Sequence, residues 1–157
     1  MEEVTMEKYV LSKMSDKNFS KAVLAIYLQT SYNHDQYPEY LKWFYTVNLP
    51  RIFKGEGDII FYLDGLEIVS LSTLKNTDEK KICTLLVNED YQKKGYSKQI
   101  LEDSFEYLGT DKPLITIPTK RLKEFSKIID AYHWHETSKT NEYYSEEVIF
   151  NASKIKH

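Results

Sequence analysis

Residues 82–109, ICTLLVNEDYQKKGYSKQILEDSFEYLG, constrain this chain more than any other stretch. They begin with an apolar run, 82–87, of the length and composition of a buried strand. A short polar loop follows at Gln92-Lys93-Lys94-Gly95-Tyr96-Ser97. Ile100, Leu101, Ser104, Phe105 and Leu108 then recur at helical spacing, and Gly109 stands where helices commonly end. A strand, a glycine-containing turn and a helix start can together build an anion site. The first helical N–H groups have no intrahelical partner, and the helix dipole adds partial positive charge there. Lys93, Lys94 and Lys98 bring full charges to the same end. The pattern predicts a phosphate or pyrophosphate as guest.

The rest of the composition sets bounds. A chain of 157 residues fits one domain, 1–157, with room for a core. A hydrophobic fraction of 41% with five glycines argues against disorder. The net charge of −3 disfavours a nucleic-acid partner. Cys83 is the single cysteine, so an internal disulfide and a Cys-rich zinc site are excluded, and a reducing compartment is indicated. Cys83 lies inside the apolar strand and reads as a packing group rather than a nucleophile. No apolar run approaches the roughly 18–20 residues of a membrane span, and the acidic start lacks a signal-peptide pattern. A soluble, cytoplasmic protein with no membrane partner is expected. His133 and His135 would share one face of a strand, but no third ligand is apparent by spacing, so no metal is expected.

Read in order, residues 9–14 suggest a first strand; Ser15 or Asp16 can cap a first helix, in which Phe19, Val23, Ile26, Tyr27 and Thr30 repeat at helical spacing. Pro38 suits the first turn of a second helix, whose apolar stripe would be Tyr40, Trp43, Phe44 and Val47. Pro50 is expected to end or kink that helix, and Gly55 and Gly57 mark the next break. Strands at 59–63 and 66–74 flank the hairpin signal Asp64-Gly65, and residues 76–80 turn the chain into the strand at 82. Beyond Gly109 come a short strand at 114–117, a helix to Ala131 and two closing strands at 134–138 and 143–150. The order β-α-α-β-β-β-α-β-α-β-β implies an α/β chain with a mixed sheet flanked by helices.

The loop Gln92-Lys93-Lys94-Gly95-Tyr96-Ser97 resembles the Q/R-x-x-G-x-G/A loop of the GNAT superfamily of N-acetyltransferases, with Ser97 at the small-residue position. The preceding hairpins, the Leu85-Leu86-Val87 strand end and the helix that follows fall in the GNAT order, so the resemblance covers roughly residues 9–150. It implies the GNAT fold, with a central, mostly antiparallel mixed sheet. It further implies acetyl-CoA as co-substrate, its pyrophosphate held by the amides of Gln92, Lys93, Lys94, Gly95, Tyr96 and Ser97 together with Lys98. The backbone of Leu85, Leu86 and Val87 would pair with the pantetheine arm. The thioester would lie between strands 82–87 and 114–117, where a primary amine attacks it directly in a ternary complex. Dimers are common in the family, so a homodimer stays open, with Tyr143-Tyr144 as a candidate edge.

Such a reaction needs a group to accept the amine proton, a donor for the thioester oxygen and, optionally, a donor for the leaving thiolate. Glu67 is the candidate base, with Glu89 and Asp90 as alternatives. Many family members place the thiolate donor, a tyrosine, five residues ahead of the aromatic of a Gly-aromatic pair. If His133-Trp134 stands for that pair, the position falls on Ile129, a departure from the pattern. Tyr132, Tyr143, Tyr144 or water would substitute, or the thiolate would leave unprotonated; Tyr132 is the candidate catalytic residue. Tyr32, His34 and Tyr37, in the loop between the first two helices, are the candidate acceptor contacts, because aromatics beside an acidic residue suit a cationic amine or a peptide. The departure at Ile129 keeps a second reading open, a non-catalytic acyl-CoA-binding or protein-interaction module on the same fold.

Overall fold

A computed structural model describes residues 6–30, 40–65, 67–91, 95–140 and 146–152. The strands are β1 (Glu7–Val10), β2 (Gly57–Asp64), β3 (Glu67–Asn76), β4 (Lys80–Val87), β5 (Leu114–Pro118), β6 (Glu136–Thr140) and β7 (Glu147–Phe150). The α-helices are α1 (Asp16–Thr30), α2 (Tyr40–Trp43), α3 (Leu49–Phe53), α4 (Tyr96–Leu108) and α5 (Leu122–Ala131). The strands form one seven-stranded sheet in the order β1-β2-β3-β4-β5-β7-β6. All neighbours are antiparallel except β4 and β5. The expected mixed, mostly antiparallel sheet flanked by helices is the observed one. Among the described residues, no helix is long and apolar enough to cross a membrane.

Side-chain alternation divides the apolar residues into two layers. Ile60, Leu74, Ile82, Leu85, Ile115, Ile117, Val148 and Phe150 pack with Ile100, Leu101, Phe105 and Leu108 of α4 and Phe125 of α5. Ile59, Phe61, Ile68 and Leu71 pack on the other face with Ala22 and Ile26 of α1, with Phe44, and with Leu49 and Ile52 of α3. All five residues of the expected α4 stripe are buried.

Three expectations fail locally. The first strand ends at Val10, and Leu11–Lys13 form a 3₁₀ turn. The cause is Asp58, whose carboxylate accepts the Ser12 backbone N–H at 3.0 Å and the Ser12 hydroxyl, drawing the chain out of the sheet. Val47 does not lie on the buried stripe, and of the two effects expected of Pro50 the ending of the helix is not seen. Phe44–Asn48 wind as a π-helical segment, with the Leu49 N–H donating to the Phe44 carbonyl five residues back. That puts Pro50 in the first turn of α3, where proline is best tolerated, and the chain stays helical to Phe53. The extra residue rotates the helix face, so Asn48, Leu49 and Ile52 go inside while Val47 is 39% exposed. Finally, His133 and His135 are not partners on a strand, because β6 starts only at Glu136. Residues 132–134 instead finish α5. Tyr132 N–H donates to the Ile128 carbonyl and Trp134 N–H to the Ile129 carbonyl, with His133 at φ 57° between them.

Candidate functional site: the divergence of β4 and β5

The central irregularity of the sheet lies where the two parallel strands meet. β4 and β5 pair only at Lys81–Leu114 and Ile82–Ile115. Beyond that point each strand keeps its outer partner. β4 continues along β3 to the Ser70–Val87 pair, and β5 continues along β7 to the Pro118–Glu147 pair. Their inner edges therefore part. A β-bulge marks the place: Thr73 faces Thr84 and Leu74 faces Ile82, leaving Cys83 as the extra residue. Bulges bend and further twist a strand, which turns β4 away from β5. Leu85 is buried toward α4, while Leu86 and Val87 are half-buried at the parting edge. Burial pushes the Cys83 thiol up, against the opposing charges of Lys81 and Arg51, so it stays protonated and is a poor nucleophile.

The N-terminus of α4 follows shortly after the end of β4. Gly95 is its N-cap, in the left-handed region at φ 87°, and its carbonyl accepts the Gln99 N–H at 3.1 Å. A Cβ at Gly95 would meet nothing within 4 Å, so glycine is favoured there by backbone conformation alone. No acidic residue stands in the first turn. The amides of Tyr96, Ser97 and Lys98 precede the first intrahelical bond, at Gln99, and point out of the helix start. Lys98 is exposed and only loosely paired with Glu102, at 3.9 Å. Gln92, Lys93 and Lys94 lie outside the described residues, as do Tyr32, His34 and Tyr37.

Polar bolts hold α4 on the sheet. Asp103 is buried and accepts from Lys8 at 3.2 Å, from the Tyr62 hydroxyl, and from Gln99 at 3.4 Å. Burial, reinforced by the Asp103 hydrogen bond, raises the Tyr62 hydroxyl pKa, so Tyr62 remains a donor. Ser104 donates to Ser72 at 2.9 Å.

Glu67 lies at the tip of the β2–β3 hairpin, exposed, on the end of the sheet where β4 leaves β5. Its carboxylate accepts Asn88 Nδ2 at 2.8 Å and lies 3.5 Å from the Tyr91 hydroxyl. Tyr132 is half-buried, its ring edge-on to Phe105 at 4.8 Å. Ile129 also packs against the α4-side core. His133 adopts the conformation that favours glycine, as expected if His133-Trp134 replaces a Gly-aromatic pair. Two features escaped the sequence reading. One is the hydrogen-bonded set of Asp64, Glu67, Asn88 and Tyr91, which no local spacing signals. The other is Glu147, 1% exposed at the start of β7. Val148 and Phe150 belong to the α4-side core, so alternation aims Glu147 and Ile149 at the opposite face, with Thr116 and Pro118 beside them. Among the described residues, no three His, Cys, Asp or Glu side chains gather as a metal site.

No family model and no curated protein matches the sequence. Solved structures do match in shape. A Desulfovibrio desulfuricans protein assigned to the GNAT acetyltransferases superposes with a TM-score of 0.62 at 7% identity, over 93% of this chain and 97% of its own. A Staphylococcus epidermidis protein assigned as an acetyltransferase gives 0.60 at 13% identity, over 96% and 100%. A Bacillus subtilis acetyltransferase solved in complex with CoA gives 0.55 at 16% identity, over 93% and 97%. By these likenesses the chain has the fold of the GNAT acetyltransferases.

Proposed function

We propose that the chain transfers an acetyl group from acetyl-CoA to a primary amine by direct attack in a ternary complex. The observation that carries this reading is the parting of β4 from β5 next to a helix start with no acidic residue in its first turn. A pantetheine arm needs an extended slot with unpaired strand edges, and a pyrophosphate needs amides and positive charge at the end of that slot. The parting of β4 from β5 and the amides at the start of α4, with Lys98 beside them, support this reading. The Bacillus subtilis neighbour, solved with CoA, supports the same guest.

In the proposed reaction the neutral amine nitrogen attacks the thioester carbonyl carbon. The C–N bond forms, the carbonyl oxygen takes the electron pair, and its collapse expels coenzyme A thiolate. The amine proton passes to a carboxylate, for which Glu67 and Glu147 are the candidates, and Tyr132 is the proposed donor to the thiolate. Leu85, Leu86 and Val87 would offer backbone to the pantetheine. Gly95, Tyr96, Ser97 and Lys98, with Gln92, Lys93 and Lys94, would hold the pyrophosphate, and Tyr32, His34 and Tyr37 would receive the acceptor.

The test is thiol release from acetyl-CoA across a panel of small amines, peptides and proteins. Turnover with at least one amine supports the enzyme. A Glu67→Gln, Glu147→Gln or Tyr132→Phe variant that lowers kcat while coenzyme A affinity holds assigns the proton carriers; unchanged turnover removes that residue. One observation favours a second reading, a non-catalytic acyl-CoA binder: Ile129, half-buried against the core, stands at the helix position where the family resemblance places a tyrosine. Saturable coenzyme A binding with silence across the panel would select it.

A further inference from the structure

We propose that Tyr91, held by Asp64, is a positioning residue that sets the anion-binding end of α4 against the end of β4. The tip of the β2–β3 hairpin would thereby tune coenzyme A affinity without touching the cofactor. The inference rests on the coenzyme A reading above.

Tyr91 closes the short 3₁₀ turn Glu89–Tyr91, its N–H donating to the Asn88 carbonyl at 2.9 Å. Its hydroxyl reaches back to the hairpin, donating to Asp64 Oδ2 at 2.6 Å with Glu67 Oε2 at 3.5 Å. Its ring meets Tyr96, the first residue of α4, with centroids 5.9 Å apart and planes at 66°. One side chain therefore joins three elements: the turn after β4, the hairpin tip and the helix start. Asn88 secures the turn from the other side. Its N–H donates to the Val69 carbonyl at 2.8 Å, its Nδ2 to Glu67 at 2.8 Å, and its Oδ1 accepts the Asp90 N–H at 3.1 Å. The body of α4 is fixed separately, through Asp103 and Ser104. Loosening Tyr91 should thus move the first turn of the helix and leave its axis in place. The bond to Asp64, assisted by partial burial, raises the Tyr91 hydroxyl pKa, so the phenol keeps its proton as a donor through neutral pH.

The electrostatics give the idea a sign. Asp64 and Glu67 are carboxylates next to a site meant for an anion. By charge alone, removing Asp64 should tighten coenzyme A binding. A positioning role predicts the reverse, because binding amides act only when aimed.

Coenzyme A affinity is to be measured by calorimetry, with the melting temperature, for the wild type, Tyr91→Phe, Asp64→Ala, their double variant and Asp64→Asn. Tyr91→Phe should weaken binding about fivefold to tenfold, the effect of one hydrogen bond, at a nearly unchanged melting temperature. Asp64→Ala should weaken it by a similar factor despite losing a negative charge, and the double variant should be no worse than either single one. Asp64→Asn, which still offers an oxygen to Tyr91, should restore wild-type affinity. The proposal is overturned if Tyr91→Phe binds normally, if Asp64→Ala binds more tightly, or if the two losses multiply. A wild type that binds no coenzyme A would remove the proposed function itself, and this inference with it; normal wild-type binding with indifferent variants would remove only the inference.

Discussion

On the α4 face one continuous apolar layer runs from β2 to β7, with Ile60, Leu74, Ile82, Ile115 and Val148 buried under α4 and α5. On the opposite face the buried cluster stops at β3, beneath α1 and α3. There β4, β5 and β7 present Thr84, Leu86, Thr116 and Ile149, all half-buried, with Glu147 buried among them. The same strands thus carry a finished core on one side and an incompletely covered strip on the other, and the strip straddles the divergence of β4 and β5. Both faces carry buried core, but only the α4 face carries it across the whole width from β2 to β7.

Paired truncations test that contrast most severely. Leu101→Ala, in α4 at 1% exposure, should cost about 2–5 kcal/mol in denaturant unfolding. Leu86→Ala on the strip should cost no more than about 1 kcal/mol, because part of that side chain is wet in the folded state too. Equal losses would mean that the strip is as filled as the core. Next in size is Gly95→Glu, which should weaken coenzyme A binding at least about 100-fold by putting charge and bulk at the amides. The variant also strains φ 87°, so Gly109→Ala is its control. Gly109 caps the other end of α4 at φ 74°, and there the strain should cost about 1 kcal/mol while binding persists. Parallel loss of binding in both would trace the effect to helix strain.

Two smaller effects sharpen the α4 side. His133→Gly should raise stability by about 1 kcal/mol, since it relieves a left-handed non-glycine at the end of α5; an unchanged denaturation midpoint would show that His133 makes compensating contacts. The weakest effect is alkaline. The Tyr62 hydroxyl pKa is raised in the folded state, so its contribution is complete below the ordinary tyrosine value of about 10 and is lost as pH rises above it. The stability gap between wild type and Tyr62→Phe should therefore narrow from about pH 10 upward in urea titrations. A constant gap would contradict the Asp103–Tyr62 bond as its source.

The sequence was legible where local chemistry and tertiary structure agree. The α4 stripe, the Asp64-Gly65 hairpin, Gly109 and the element order all follow from spacing, and so does the start of α4 beside Gly95. It was less legible where one long-range contact overrides a local preference. Asp58 ends β1 from forty-six residues away. A π-helical turn absorbs Pro50 and swaps Val47 for Asn48 inside. Helix capping claims His133 before the strand can begin. The set of Asp64, Asn88 and Tyr91 was invisible for the same reason, since its members meet only after the hairpin closes. The proposed acceptor contacts Tyr32, His34 and Tyr37 lie outside the described residues.

The central claim is that coenzyme A occupies the divergence of β4 and β5, with its phosphates at the start of α4. Backbone NMR of the 18.6-kDa chain during a coenzyme A titration tests both binding and place. Saturable shifts are expected at Thr84, Leu85 and Leu86 and at Gly95, Tyr96 and Ser97, with β1 and β6 silent. Saturable shifts elsewhere, or none up to about 1 mM ligand, where even weak specific binding would register, would contradict it.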